Sequence, residues 1–399
     1  MNIILVQPEM NWHHPYCEAP SRALLTLGTL AEQEGHKVKV LHLDIDKVDM
    51  AAEVKEFKAD IVGLTVNTFQ VRSARQVTKQ IREVSRDIRI VVGGPHAVVW
   101  DGEADKVVIG EGDNQWLEYL GSSRRINSLD ELPMVDYDLI NPVRFSGVFP
   151  IGGIPSMMMM SSRGCGFGCI FCNTPLFWGR RVRYRDPVLV VDEVAYLNKR
   201  FGVAEVFFQD DTFNLNHGWA NGIFEEIIRR RLNNKMVFKL ACRVNEKLVT
   251  EPFLEMARRA GVWNIFYGVE SGSQRLLDHM KKGITVPEIK RAFSLTHRYG
   301  MQTQASFIVG MPGENLESLQ ETQALIYDLM PEHMGWVYAC PFPHTEFDKE
   351  VTAKGHKRDF DYADYRYGLV ICRTDELDYD LLESFPGYQV RNSVMVGGR

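Results

Sequence analysis

The sequence predicts an α/β protein with an N-terminal Rossmann-like (flavodoxin-like) domain, a partial (βα)6 barrel and a short α-rich C-terminal extension. First, short apolar runs alternate with helical patterns over residues 1–120, as expected of βαβ units around a parallel sheet. Second, the alternation stops at an acidic, proline-bearing stretch and then restarts. Third, the second series holds only six βα units, whereas a closed eight-unit barrel usually needs about 250 residues. These observations give the predicted boundaries: 1–127 for the first domain, 128–150 for a linker, 151–345 for the barrel and 346–399 for the extension.

The composition is that of an ordinary globular protein and restricts the classes of partner. The 399 residues are 45% hydrophobic and 25% charged, with a net charge of −6 and a pI near 6.0. This charge argues against nucleic acid or an anionic membrane as the main partner. The N-terminus lacks the basic and apolar regions of a signal peptide, and no apolar run reaches the roughly 18 residues of a membrane span. We therefore expect a cytoplasmic protein.

Each strand of the two units is predicted from a β-rich apolar run bounded by turn residues. Helical periodicity between them is clearest at 21–36, which ends at Gly35, and at 186–202 and 217–232. The predicted strands are 2–8, 37–44, 59–66, 88–94 and 106–110 in the first domain, and 156–162, 204–211, 237–244, 264–271, 303–313 and 334–343 in the barrel.

The stretches that follow the strands of the first domain mark its ligand-binding edge, because ligands of such sheets lie beyond the carboxyl ends of the strands. These stretches are 8–20, 67–70, 93–97 and 110–113, and the last two contain glycines where backbone turns tightly or approaches a ligand. Glycines are also common after any strand. The first strand is not followed by G-x-G-x-x-G, which argues against a dinucleotide, and the long first loop suits a larger ligand.

Three of the seven cysteines form a C-x₃-C-x₂-C motif at Cys165, Cys169 and Cys172. A structural zinc site would need four ligands, and no second ligand pair lies nearby, since His217 is far along the chain. Disulfides do not fit a reducing compartment. A third possibility is a [4Fe–4S] cluster held by three thiolates, which would leave one iron open to another ligand.

This motif, with an aromatic residue before its last cysteine and a position after the first barrel strand, resembles the radical S-adenosylmethionine (SAM) superfamily. The ends of the later strands, QDDTF, ACRVN, YGVESGS, FIVGMPGE and CPFPHT, resemble the SAM-contacting strand ends of that family in the same order. The sequence departs from the family at His344, where many relatives have glycine. The resemblance implies a cluster on Cys165, Cys169 and Cys172, and SAM contacts from Phe171, Asp210, Asp211, Arg243, Glu270, Ser271, Ile308, Gly310, Ala339 and Pro341.

The resemblance also implies roles for some of these residues. Asp210 or Asp211 would accept hydrogen bonds from the SAM ammonium, Arg243 would pair with its carboxylate, and Glu270 would bind ribose hydroxyls or the amino group. Backbone at 308–310 and 339–341 would read the adenine. Ordinary ion pairs or caps at strand ends are the alternative for Arg243 and Asp211.

The first domain resembles the cobalamin-binding subgroup of the superfamily, with GGPH after its fourth strand and GEGD after its fifth. The D-x-H-x-x-G motif that places histidine on cobalt in related proteins is absent from the first loop, where His13 or His14 is an alternative ligand. We expect the lower face of cobalt to meet 67–69 without a strong protein ligand. The resemblance implies cobalamin contacts from Pro8, Glu9, Asn11, Thr65, Asn67, Thr68, Phe69, Gly93, Gly94, Pro95, His96, Gly110, Glu111 and Gly112.

The function implied is that of an anaerobic, cobalamin-dependent radical SAM methyltransferase. A 5′-deoxyadenosyl radical would take hydrogen from an unactivated sp³ carbon, and methylcobalamin would supply the methyl group. No side chain is assigned as acid or base. A ferredoxin-type reductase would supply electrons, and nucleic acid and membranes are not expected partners.

The substrate expected is a peptide or protein residue, since the short extension would leave an open cleft. The specific candidate is the α-carbon of a glutamine in methyl-coenzyme M reductase. Tyrosines of the extension either line this cleft or pack as core: Tyr362, Tyr365, Tyr367 and Tyr379.

Three alternatives remain at this point. A cobalamin-dependent cyclase or rearrangement enzyme acting on a small molecule would share both domains. An RNA methylthiotransferase would need more cysteines in the first domain, where only Cys17 occurs, and its RNA-binding domain does not fit the acidic tail. An electron carrier would need the cluster but not the SAM-like strand ends.

Overall fold

The computed structural model describes residues 1–11, 17–145, 147–148, 151–366 and 368–384. The predictions for His13, His14 and Tyr367 therefore fall outside the described residues. The N-terminal part of the chain contains β1 (Asn2–Gln7), β2 (Cys17–Glu18), α1 (Arg22–Gln33), β3 (Lys37–His42), α2 (Leu43–Asp46), α3 (Met50–Phe57), β4 (Ile61–Thr65), α4 (Val71–Val84), β5 (Arg89–Gly93), β6 (Lys106–Val107) and α5 (Asp113–Tyr119).

The first sheet is parallel throughout and has the order β3-β1-β4-β5-β6. This is the flavodoxin-like order, which confirms the predicted fold of the first domain. Helices cover both faces, so successive residues of β1 are buried on opposite sides: Ile3 and Leu5 pack with Trp116, whereas Ile4 and Val6 pack with helix α4. Burial on both faces explains why the strands are continuous apolar runs.

The second half of the chain forms the barrel and the extension. Its elements are β7 (Gly147–Val148), β8 (Ser156–Met159), β9 (Ser162–Arg163), α6 (Thr174–Phe177), β10 (Arg183–Tyr184), α7 (Pro187–Phe201), β11 (Glu205–Phe208), α8 (His217–Arg229), β12 (Val237–Cys242), α9 (Glu251–Arg259), β13 (Val262–Glu270), α10 (Gln274–His279), α11 (Val286–Arg298), β14 (Gln302–Val309), α12 (Leu316–Leu329), β15 (His333–Tyr338), α13 (Glu346–Ala353) and α14 (Tyr379–Ser384).

The second sheet is parallel and follows the chain, in the order β8-β11-β12-β13-β14-β15. Sequential parallel neighbours joined by helices form a partial (βα)6 barrel, as predicted. Local signals fix its helices. Helix α7 begins after Asp186, whose carboxylate accepts the Val188 amide, and ends at Gly202 with a φ of 68°. Helix α11 begins with a capping box between Thr285 and Glu288.

The segment between the two sheets is packed rather than exposed. Short 3₁₀ turns at 129–131 and 137–139 carry apolar side chains inward. Tyr137 and Ile140 are buried in the same core cluster as Leu25 of α1 and the inner face of α7. This segment therefore joins the hydrophobic contacts of the first domain to those of the barrel.

The C-terminal extension packs on both domains. Tyr365 is buried, and its ring centroid lies 4.9 Å from that of Phe69. Arg75 of α4 binds Asp361 at 2.7 Å, the Tyr338 hydroxyl at the end of β15 donates to the Leu382 carbonyl at 3.0 Å, and the Tyr379 hydroxyl donates to the His356 carbonyl within the extension at 2.8 Å. Among the described tyrosines of the extension, packing contacts therefore dominate. In the described part of the chain, no helix combines the length and apolar character needed to cross a bilayer.

Candidate functional site

The cysteine motif lies on a loop between β9 and α6, at the carboxyl end of the first barrel strand. Gly164 has a φ of +98°, and a Cβ at this position would lie 2.5 Å from the Arg181 carbonyl oxygen, so the loop needs glycine there. The Cys172 amide donates to the Cys169 carbonyl at 3.2 Å and closes a tight turn. Cys165, Cys169 and Cys172 are free thiols and partly exposed.

The loop supplies three thiols as donors. The described residues contain no group of three or more His, Cys, Asp or Glu side chains that could hold a single metal ion. A tetrahedral zinc site needs four ligands. An iron–sulfur cluster is held by thiolates that each bind a different iron. The donor set of the loop therefore fits a cluster better than zinc.

Arg243, at the end of β12, lies directly beneath the loop. Its guanidinium carbon is 3.6 Å from the Phe167 ring centroid, and its Nη1 is 3.8 Å from Cys169 Sγ. Nη2 donates to the carbonyl of Lys282, and Nε donates to Asn245 at 3.1 Å. The side chain is thus a buried cation that positions the cysteine loop against the barrel.

The adjacent carboxylates Asp210 and Asp211 have different surroundings. Asp210 accepts hydrogen bonds from the backbone and hydroxyl groups of Ser161 and Ser162, three of them at 2.9, 2.9 and 2.5 Å. Burial raises the pKa of Asp210 to about 6, although these hydrogen bonds act to lower it. Its oxygens are therefore committed to bracing the start of the cysteine loop.

Asp211 retains a free oxygen. Thr174 donates to Oδ1 at 3.0 Å and the Gly164 amide approaches the carboxylate, whereas Oδ2 is buried without a hydrogen bond of standard geometry in the described structure. Burial raises the pKa of Asp211. A buried acceptor without a partner is costly unless a ligand supplies the donor. Of the two predicted carboxylates, Asp211 is the one available to an ammonium group.

Glu270, at the end of β13, forms an ion pair that the sequence did not indicate. Its φ is +70°, and the register of β13 with β14 shifts beside it. Lys282 Nζ lies 2.6 Å from Glu270 Oε1, and Ser306 donates to Oε2 at 3.3 Å. Lys282 Nζ is also 5.9 Å from the Phe171 ring centroid, which brings the pair next to the cysteine loop. Lys282 belongs to a lysine-rich turn after α10, which carries no recognisable motif.

The remaining predicted SAM residues are packed at neighbouring strand ends. Ser271 is fully buried and its hydroxyl contacts Thr322 at 3.3 Å, which ties β13 to α12. The side chains of Ile308 and Ala339 pack with Ile170 of the cysteine loop. Gly310 has a φ of +93° and donates its amide to the Glu314 carboxylate. Pro341 is buried just beyond β15. All ten predicted SAM residues thus lie on the loop or at strand ends around it.

A cavity of about 380 Å³ opens at the carboxyl edge of the first sheet and reaches the cysteine loop. Apolar side chains form its floor, and turns that contain glycines form its rim. At Gly94, which has a φ of +98°, a Cβ would lie 2.7 Å from the Val66 amide nitrogen. The lining includes six predicted cobalamin residues, Thr65, Gly93, Gly94, Pro95, Gly110 and Gly112, together with Leu5, Leu27, Gly63, Trp116, Met160, Arg163, Asn173 and Phe177.

A second cavity, of about 270 Å³, adjoins the first. Gly94, Pro95, Gly110, Asn173 and Phe177 line both, so these residues form a shared wall. The second cavity also receives Thr68 from the first domain and the 342–344 turn from the end of β15. The two adjoining cavities are therefore lined from the carboxyl edges of both sheets, and helix α6, which follows the cysteine loop, forms part of their wall.

Several residues predicted to contact cobalamin lie outside this lining. The Pro8 carbonyl accepts from Gln70, Glu9 pairs with Lys47 at 2.5 Å, and Asn11 donates to the Ala363 carbonyl at 3.0 Å. Asn67 caps the turn that contains Phe69. His96 is buried against Tyr362, and burial lowers its pKa to about 4. The polar contacts of these residues connect the first loop to the rest of the first domain and to the extension.

Glu111 has a different position, in an ion-pair network between the domains. Its carboxylate binds Arg163 and, at 2.8 Å, Arg183, while Arg163 also binds Asp113. Arg163 immediately precedes the loop that carries Cys165, and its guanidinium lies 4.8 Å from the Trp178 ring centroid. The network fixes the glycine turn after β6 to the base of the cysteine loop.

A second network crosses the domain boundary deeper in the protein. Glu193 of α7 is fully buried and accepts from Arg22 at 3.0 Å, Arg185 at 2.7 Å and the Tyr137 hydroxyl at 2.6 Å. Burial would raise the pKa of Glu193, but the two arginines outweigh it and lower the pKa. Arg22 and Arg185 also line the larger cavity, so its walls are held by charges from both domains.

Comparison with known proteins agrees with this two-part site. Residues 159–326 match the model of the radical SAM superfamily, and residues 13–119 match the model of the B12-binding domain. An uncharacterised methyltransferase (PH0819) of Pyrococcus horikoshii is 30% identical over 82% of this chain and 77% of its own length. The anaerobic magnesium-protoporphyrin IX monomethyl ester cyclase of Cereibacter sphaeroides is 28% identical over 94% of this chain and 68% of the cyclase.

A solved structure has the same architecture. The radical S-adenosylmethionine methyltransferase TsrM of Kitasatospora setae, with cobalamin and a [4Fe–4S] cluster bound, superposes with a TM-score of 0.71. The superposition covers 88% of this chain and 78% of that chain at 23% sequence identity. The order of a cobalamin-type domain and a partial barrel is therefore shared.

Proposed function

The chain belongs to the cobalamin-dependent enzymes of the radical SAM superfamily, and we propose that it methylates an unactivated sp³ carbon. The observation that carries this proposal is that residues from the carboxyl ends of both sheets line two adjoining cavities. The glycine turns of the first domain line both cavities, and Asn173, the last residue of the cysteine loop, lies in their shared wall. A carbon placed in the smaller cavity would lie beside both the glycine turns and the end of the cysteine loop.

The cofactors are a [4Fe–4S] cluster, SAM and cobalamin, which when bound supply hydrogen abstraction and a transferable methyl group. The residues present fit them. Cys165, Cys169 and Cys172 would hold the cluster through three thiolates, and Asp211 Oδ2 would accept a hydrogen bond from the SAM ammonium. Glu270, held by Lys282, lies at the end of a neighbouring strand and would bind hydroxyl or amino groups.

We assign cobalamin to the larger cavity. An apolar floor around Leu5 and Trp116 would suit a nucleotide tail, and the glycine turns at the rim place no side chains between a large ring and the backbone. Thr68, which shares a hydrogen bond of 3.3 Å with buried His96, lines the adjoining cavity. Thr68 offers a hydroxyl rather than a strong metal ligand.

The substrate that we propose is a residue of a peptide or protein, and the α-carbon of a glutamine in methyl-coenzyme M reductase is the specific candidate. The smaller cavity supports an extended substrate because its rim is exposed and apolar: Ile109 is 57% and Leu176 54% exposed. A cyclase among the similar proteins makes cyclisation of a small molecule the alternative.

The test is anaerobic reconstitution with iron, sulfide, cobalamin and SAM, followed by mass spectrometry of the products. Methylation should yield S-adenosylhomocysteine as well as 5′-deoxyadenosine, and a peptide that spans the glutamine should gain the mass of one methylene group. Deoxyadenosine without S-adenosylhomocysteine would favour cyclisation and contradict methylation. An unmodified peptide, with both SAM products formed, would reject that substrate alone.

A further inference from the structure

The solvent-facing side of the cysteine loop carries few side chains. Gly166 is exposed, and a Cβ at this position would meet nothing within 4 Å. Gly168 adds no side chain, and the ring of Phe167 is turned inward onto Arg243. The stretch between Cys165 and Cys169 therefore separates the thiols from solvent with little more than backbone.

Two exposed arginines flank this thin cover. The guanidinium of Arg180 lies 3.5 Å from the position of a Cβ on Gly168, the residue before Cys169. The carbonyl of Arg181 packs against Gly164, so the 179–181 segment is held tightly to the loop. Both side chains are exposed, and within the described ranges neither forms an ion pair with an acidic residue.

Several other cations around the site are paired with acids, whereas buried Arg243 donates to a carbonyl and an amide oxygen. Arg163 and Arg183 bind Glu111, Arg185 binds Glu193, and Lys282 binds Glu270. The two exposed arginines thus leave uncompensated positive charge at one place on a chain whose net charge is −6. A local patch of this kind attracts an acidic protein that the molecule as a whole would repel.

We propose that Arg180 and Arg181 form the docking site of an acidic one-electron carrier protein of the flavodoxin or ferredoxin type. The inference rests on the proposed function, since it requires a cluster behind the glycine cover. One electron leaves the carrier and enters the cluster, so the carrier is oxidised and the cluster reduced. No covalent bond forms or breaks, and no proton moves. The arginines would bind the carrier. The glycines, which have no side chains, would let the carrier approach the thiols closely.

The test uses the reconstituted holoenzyme and a purified acidic flavodoxin as the probe. Arg180→Glu with Arg181→Glu should weaken flavodoxin binding about tenfold or more and remove most of its salt dependence. Arg180→Lys with Arg181→Lys should retain binding. Lys79→Glu with Arg86→Glu is the matched control, because both residues are exposed, lie in the first domain and change the net charge equally.

Two further measurements separate this inference from the proposed function. Cluster reduction by reduced flavodoxin, followed by loss of visible absorbance, should slow in the Glu variant, whereas reduction by dithionite should not change. Unchanged flavodoxin binding in the Glu variant, or an equal loss in the control, would overturn the docking site. If dithionite-reduced wild type did not cleave SAM, the proposed function would fail while the binding result still stood.

Discussion

Lys282 Nζ and Glu270 Oε1 lie 2.6 Å apart at the carboxyl end of β13, and both side chains are more than nine-tenths buried. The glutamate has a left-handed backbone conformation in a bulged strand, and the lysine comes from a loop whose Met280 carbonyl accepts the Ile170 amide at 3.0 Å. The pair therefore links the strand that we expect to contact SAM with the cysteine loop.

Removing the lysine should release Glu270. Lys282→Ala leaves a buried carboxylate without its partner, which typically costs about 3–5 kcal/mol of folding free energy. We expect the dissociation constant for SAM, measured by equilibrium dialysis, to rise about tenfold or more as the carboxylate moves. Lys282→Arg should recover part of the affinity. Wild-type SAM binding by Lys282→Ala protein that is folded by circular dichroism would contradict the positioning role.

Replacing any one of Cys165, Cys169 or Cys172 with alanine should abolish both cluster retention and SAM cleavage. Each thiolate binds a different iron, so the two that remain cannot hold the cluster. Iron content and visible absorbance after reconstitution give the readout. Cys242→Ala and Cys372→Ala are the controls, because both thiols are buried in apolar clusters and burial raises their pKa. Loss of iron in either control would mean that the ligand set is wrong.

Filling the larger cavity should block cobalamin without unfolding the protein. Gly112 has a φ of −90°, and an added Cβ would make only ordinary contacts with Val108 and Leu27. Gly112→Ala should therefore bind cobalamin, whereas the indole of Gly112→Trp would occupy the cavity. Corrin absorbance retained after gel filtration measures the difference. Equal cobalamin in both variants would show that the cofactor binds elsewhere.

Glu314 should make stability depend on pH near neutrality. Burial raises its pKa to about 7 from 4.5, although the amides of Gly310 and Met311 act to lower it. A raised acid pKa means that the folded state retains a proton that the unfolded state has lost. Stability is therefore full below about pH 4.5 and declines as pH rises through about 7.

Comparison with Glu314→Gln isolates this effect, since glutamine can still accept the Gly310 amide. The free energy of unfolding of wild type, relative to the variant, should fall by on the order of 2–3 kcal/mol between about pH 5 and about pH 8. Urea denaturation at each pH gives the values. A constant difference across this range would show that Glu314 does not titrate there.

The strands and the cysteine loop were predictable because their signals are local. Apolar runs buried on both faces identify strands, and ligand spacing within one loop identifies a metal site. The distinction between Asp210 and Asp211 was not local. Adjacent residues at a strand end point to opposite sides, and only the fold shows which one meets the serines after β8.

Long-range contacts account for the other differences. Asn11 reads as part of a ligand loop, but its partner Ala363 is 352 residues away. The acidic and proline content of residues 128–150 predicts a linker. In the fold, Tyr137 of this segment is buried and donates its hydroxyl to Glu193 of α7. The contact of Lys282 with Glu270 forms only in the fold, where the lysine turn approaches β13. None of these pairings leaves a periodic or spaced pattern in the sequence.

The buried Arg22–Glu193 contact also has a thermodynamic consequence. Separating the two domains would remove Arg22 from Glu193 and leave Arg22 without its carboxylate partner. It would also expose the apolar surface around Leu25 and Tyr137. We therefore expect the two domains to unfold as one cooperative unit. If cobalamin binds in the cavity whose walls come from both domains, its binding energy would be linked to the melting of the barrel as well as of the first domain. If recombination replaced this domain by one without an arginine at the position of Arg22, Glu193 would lose this partner and the folded protein would be less stable.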